Sequence, residues 1–112
     1  AVRVKIQEYI PAVFNAEGQS LEGRASNISV TGVAIQTRQP RPAGLSENGS
    51  MQLDLPGNRV ELPTSFVATV EHDGECTHTF RIEPDKRADN LISQYIYTRQ
   101  VEIIRELKEQ LL

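Results

Sequence analysis

The apolar pattern of this chain changes period once, at Glu83-Pro84. Before that point, short runs alternate apolar with polar residues, which sends successive side chains to opposite faces of a strand. Val2-Arg3-Val4-Lys5-Ile6 puts Val2, Val4 and Ile6 on one face and turns Arg3 and Lys5 away from the core. Further strands are expected at residues 11–14, 21–25, 32–37, 51–55, 60–62, 66–70 and 76–82. Asn15-Ala16-Glu17-Gly18 and Asp73-Gly74 have hairpin-turn composition, and Pro56-Gly57 suits a tight turn in which the glycine takes positive φ. Residues 38–50 hold two prolines, two glycines and few apolar residues, which reads as a long loop. Short strands at this regular spacing, six or seven once neighbouring runs are merged, describe a small antiparallel barrel or sandwich.

After Pro84, Leu91, Ile92, Tyr95, Ile96, Ile103, Ile104, Leu107 and Leu111 recur every three or four residues. Arg99, Glu102, Arg105, Glu106 and Lys108 are assigned to the other faces. This is a helix of about 22 residues and about 33 Å, longer than a small barrel needs as a lid. Two readings follow for its C-terminal end. Leu107 and Leu111 pack on the same domain or fray, or Ile104, Leu107 and Leu111 form a short seam against another chain or domain, including a homodimer through this helix.

A chain of 112 residues suffices for one domain that buries roughly two thirds of its unfolded surface. The expected organisation is a single domain over residues 1–112, with the strands in 1–84 and the helix in 85–112. Because the chain opens at Ala1 already in strand-like sequence, it is expected to belong to a longer protein. A net charge of −3 with both signs interspersed provides no broad basic field for DNA or RNA. The single cysteine, Cys76, cannot close an internal disulfide and points to a reducing, cytoplasmic setting. No apolar run approaches the roughly 18 residues of a membrane span, and no signal peptide is evident.

Catalysis has little to build on. The only histidines are His72 and His78, and no serine sits in a Gly-x-Ser-x-Gly elbow. His72, Cys76 and His78 lack a fourth partner at zinc-site spacing, so the expectation is polar residues on an exposed hairpin and no metal. Phosphate binding has a better physical basis. Arg3 faces outward and Arg24 lies just before Asn27, Ser29 and Gly32. A planar guanidinium grips a phosphate, or the O6/N7 edge of guanine, with two parallel bonds. Asn27 and Ser29 add short side chains that donate and accept, and Gly32 permits close approach. The competing reading is a turn that bonds its own backbone. A sugar- or lipid-binding barrel would display exposed aromatics, and three tyrosines, three phenylalanines and no tryptophan leave few to spare.

Asn27-Ile28-Ser29-Val30-Thr31-Gly32 resembles the Asp/Asn-x-Ser-x-x-Gly motif of PilZ domains and, as in that family, runs into an apolar strand. The opening Arg3-Val4-Lys5-Ile6 is similar to the family's first strand behind its Arg-x-x-x-Arg arm, and ISQYIYTRQVEIIRELKE is similar to its terminal helix. The resemblance covers essentially the whole chain. It implies a mainly β fold, a six-stranded antiparallel β-barrel followed by a long C-terminal α-helix, and a receptor for cyclic di-GMP rather than an enzyme. It assigns ligand contacts to Arg3, Asn27, Ser29 and Gly32, with no cofactor beyond the dinucleotide. It also implies a protein partner or fused effector domain, in bacterial control of motility, exopolysaccharide or biofilm. Three departures stand out. The arm's other arginine falls before Ala1, Asn27 replaces the commoner aspartate, and Thr77 stands where a glycine often precedes Phe80. The alternative within the family is an adaptor that binds no nucleotide and acts through protein contacts.

Overall fold

Strands of opposite direction meet wherever the turns allow it. The structure, a computed structural model, describes residues 2–111. It contains β1 (Val4–Lys5), β2 (Pro11–Ala16), β3 (Gln19–Ile28), β4 (Gly32–Thr37), β5 (Asn48–Leu55), β6 (Asn58–His72), β7 (Glu75–Ile82) and α1 (Lys86–Gln110). The order β1-β3-β2-β5-β6-β7-β4, with a further β3–β4 pairing, closes six strands into an antiparallel barrel. β1 is a short seventh strand attached outside the ring to the end of β3, with Val4 opposite Ile28 and Lys5 opposite Asn27.

The hairpins form because their turn residues accept the backbone required. Glu17-Gly18 and Asp73-Gly74 all have positive φ, the pairing that matches the twist of adjoining strands. Gly57 also has positive φ, after Pro56. Inward residues fill the barrel, among them Phe14, Ile35, Met51, Leu53, Leu62 and Phe80. The rings of Phe14 and Phe80 lie 4.6 Å apart, and Phe66 meets Phe80 edge-on at 5.7 Å.

Several expectations need correction. Residues 60–62 and 66–70 belong to one strand, β6, which runs straight through Pro63. Pro63 is tolerated because its carbonyl accepts from Glu83, one residue beyond the end of β7. Its donorless nitrogen therefore falls where the ladder has already ended. The loop after β4 stops at Glu47, because β5 begins at Asn48, and Leu45 from that loop is buried. Val2 is exposed, unlike Val4 and Ile6, since β1 starts only at Val4.

The helix is capped by Asp85, whose carboxylate accepts from the Arg87 and Ala88 amides at 3.0 and 3.1 Å. Ala88, Ile92 and Ile96 face the barrel. Arg99 continues that stripe and is only 4 % exposed, which corrects its assignment to an outer face. Its charge is compensated by Glu102 at 3.3 Å and Glu106 at 3.5 Å, so the aliphatic stem lies inward. Beyond this point the helix leaves the barrel. Val101, Ile104, Leu107 and Leu111 are exposed, Leu111 by 86 %, so the apolar end does not pack on this domain.

Candidate functional site

The turn that follows β3 owes its geometry to a bulge. Ala25 pairs with Ile35, but the next rung joins Asn27 to Ala34, leaving Ser26 as the extra residue. Ala25 and Ile28 are both fully buried although three residues apart, which strict alternation forbids. The inserted residue resets the alternation and turns Asn27 outward. Without it, Asn27 would face the core.

Ser29 then closes the turn. Its backbone amide donates to the Gly32 carbonyl at 2.8 Å. Its hydroxyl oxygen accepts from the amides of Thr31 at 3.2 Å and Gly32 at 3.1 Å. The Thr31 hydroxyl lies 3.2 Å away, and Ser29 as a whole is 2 % exposed. The two amides fill the acceptor positions of this hydroxyl, so its O–H donates to the Thr31 hydroxyl oxygen.

Arg3 reaches the same place from β1. Pairing of Lys5 with Asn27 sets the preceding segment alongside the turn, and Arg3 Nη1 donates to Asn27 Oδ1. The guanidinium also sits over Gly32, where its Nη2 lies 2.7 Å from the position a β-carbon would take. The four residues singled out from the sequence, Arg3, Asn27, Ser29 and Gly32, thus form one cluster on the outer wall. Arg24 does not join it. It stands opposite Gln36, two rungs from Asn27, and lines a separate open cleft of about 860 Å³ with Tyr9, Arg38 and Glu75.

Sequence reasoning passed over Arg81. β7 pairs with β4 so that Arg81 lies directly opposite Gly32, and it is exposed. The signal was available only through the pairing of strands nearly fifty positions apart, which no local pattern carries.

His78 was expected on an exposed hairpin and is instead completely buried. The hairpin's inward face continues into the region covered by the loop after β4. Nε2 contacts the Thr37 hydroxyl at 2.9 Å and Nδ1 the Thr69 hydroxyl at 2.8 Å. Burial, with a lesser contribution from the Arg41 charge, pulls its pKa below the ordinary value against the opposing pull of the Gln39 carbonyl. Cys76 is buried too, whereas His72 is exposed at the tip. Among the described residues no group of three or more His, Cys, Asp or Glu is placed to hold a metal ion. No helix among them is long and apolar enough to cross a membrane.

At the far side of β1, the hydroxyl of Tyr95 on α1 donates to the Glu8 carboxylate. Burial first, and then this bond, push the Tyr95 pKa well above the usual phenol range.

The family profile described as PilZ domain matches residues 1–98. The chain belongs to the PilZ family. Among solved structures, this PilZ domain is similar to the c-di-GMP-bound PilZ domain of YcgR from Escherichia coli. The TM-score is 0.77 at 14% identity, over 96% of this chain and 95% of that one. It is also similar to the Bacillus subtilis inhibitor of motility MotI/DgrA, with TM-score 0.75, 17% identity and coverage of 90% and 50%. A third likeness is to Escherichia coli YcgR in complex with c-di-GMP, with TM-score 0.76, 11% identity and coverage of 99% and 49%. The PilZ domain thus spans about half the length of two of these proteins. No curated protein sequence matches it. At such identities the likeness establishes the fold: a six-stranded antiparallel barrel with one C-terminal helix.

Proposed function

We propose that this PilZ domain is a cyclic di-GMP sensor that couples occupancy of its outer wall to a partner domain or protein in the cytoplasm. The observation that carries the reading is the seat of the Arg3 guanidinium on Gly32 and Asn27. A planar cation beside a bare strand surface and an amide is suited to a phosphate with an adjacent guanine edge. Two of the similar structures contain c-di-GMP by their own descriptions, which supports the same ligand here.

Each residue has a distinct task in this reading. Arg3 supplies the guanidinium to the phosphate or guanine. Asn27 offers its amide to the guanine edge. Ser29 shapes the turn that presents Asn27 and Gly32 to the ligand, and Gly32 keeps the wall free of side chain. An arm upstream of Arg3 that orders over the dinucleotide would lose its entropy only when the ligand is present. The signal passes along β1 to Glu8 and through its bond with Tyr95 to α1. It shifts a partner only as far as the ligand prefers one arrangement over the other.

A second reading, an adaptor without nucleotide, draws on the exposed apolar residues Val101, Ile104, Leu107 and Leu111 of α1. Isothermal titration of the full-length protein with cyclic di-GMP decides between them. Saturable heat at micromolar concentration is expected for the sensor, and no uptake overturns it in favour of the adaptor.

A further inference from the structure

We propose that Arg81 is a second guanidinium of the binding wall and grips a phosphate of the dinucleotide. The inference rests on the cyclic di-GMP reading above and extends the site from the β3–β4 turn onto β7.

Register places the residue. Arg81 pairs with Gly32 on β4 and with Ser65 on β6. Phe80 and Ile82 on either side are buried in the barrel, so alternation turns Arg81 to the outer face. That face is the one on which the Arg3 guanidinium covers Gly32. Adjacent strands lie about 4.8 Å apart, so the Arg81 stem rises one strand from the surface where Arg3 rests. β7 approaches closely at this rung, with the Phe80 carbonyl oxygen 3.2 Å from the position of a β-carbon on Gly32.

Charge gives the arrangement its meaning. Like charges brought to one rung of a sheet, one by its strand and the other by lying over the neighbouring strand, repel unless an anion joins them. The acidic residue nearest along the strand is Glu83, two positions on, and its carboxylate accepts from Ser65 at 3.3 Å. Among the described residues Arg81 takes part in no ion pair. Asn27 and Gly32, which meet Arg3, and Gly32 and Ser65, which stand opposite Arg81, are neutral, and Lys5 opposite Asn27 adds a further cation. Two guanidiniums without a carboxylate between them, on a wall cleared by a glycine, fit a ligand that carries two phosphates. A solvated arginine with no role is the competing outcome.

The test is titration of cyclic di-GMP into the full-length protein and its Arg81→Ala, Arg81→Lys and Arg105→Ala variants, with thermal melting of each. Arg105 is an exposed helical cation and controls for net charge. A bond to a charged group predicts that Arg81→Ala binds about tenfold to hundredfold more weakly. Arg81→Lys keeps the charge and loses less, Arg105→Ala binds as the parent does, and none melts below the parent. Equal affinity of Arg81→Ala and the parent overturns the proposal while leaving the sensor intact. A parent that takes up no cyclic di-GMP overturns both.

Discussion

The guanidinium of Arg3 occupies the space that a side chain at residue 32 would need, with Nη2 2.7 Å from the notional β-carbon of Gly32. The backbone carbonyl of Phe80 stands 3.2 Å from the same point. These two neighbours respond differently to an added methyl group. Arg3 is the far end of a flexible side chain and moves aside, whereas the strand backbone yields only a few tenths of an ångström.

Gly32→Ala therefore separates folding from binding. Stability should change by no more than about 1 kcal/mol, the range for Gly→Ala where the backbone accepts it, because the main displaced group is mobile. Affinity for cyclic di-GMP should fall by about tenfold or more, the equivalent of one lost charge-assisted bond. Melting and calorimetry on the same preparation check both. Unchanged affinity would mean that the seat of Arg3 on Gly32 has no part in recognition.

Asn27 accepts from Arg3 through Oδ1, which leaves its NH₂ as a donor toward a ligand. A carboxylate would bond Arg3 with charge assistance and keep a second oxygen for the guanine N1–H and N2–H. Asn27→Asp is expected to tighten binding by roughly fivefold, about 1 kcal/mol. A weaker complex would show that the bond between Arg3 and residue 27 must break on binding, since the substitution strengthens that bond as well.

Ser29 serves the fold whether or not a ligand is present. Its hydroxyl accepts two backbone amides in a turn where the residue is 2 % exposed. Ser29→Ala leaves those donors without their partner and should cost about 1–3 kcal/mol, read by urea unfolding of the unliganded protein. An unfolding midpoint equal to the parent's would remove the turn-closing role.

The strands and turns were legible because their causes are local. Alternation in β5 and β7 and the residue pairs Glu17-Gly18 and Asp73-Gly74 act within a few positions of one another. The motif residues were legible for the same reason, by spacing. What escaped depends on contacts across the barrel. The bulge at Ser26 that aims Asn27 is visible only against the register of β4. The passage of β6 through Pro63 depends on where β7 ends. Arg99 reads as an outer-face cation in a helical pattern, yet its position after Ile92 and Ile96 places it on the packed stripe, with Glu102 and Glu106 holding its charge. Arg81 meets Gly32 only through the β4–β7 ladder.

His78 makes the stability of the fold depend on pH with a definite sign. The Thr37 hydroxyl gives its proton to the Gln39 carbonyl at 2.5 Å, so toward His78 it accepts, and Nε2 carries the ring proton. Nδ1 is then the acceptor for the Thr69 hydroxyl. A second proton on the ring would turn that acceptor into a donor and place a charge in a site closed to water. Burial accordingly holds the His78 pKa below its unfolded value. The unfolded chain binds the extra proton first, so the contribution of the neutral ring is complete above about pH 6.5. It is lost as pH falls through the folded value. Denaturant midpoints measured between about pH 7 and pH 5 should decline for the parent and decline less for His78→Gln. His72 is present in both proteins, so the difference in slope belongs to His78. Parallel slopes would show that this ring titrates alike in the folded and unfolded chain.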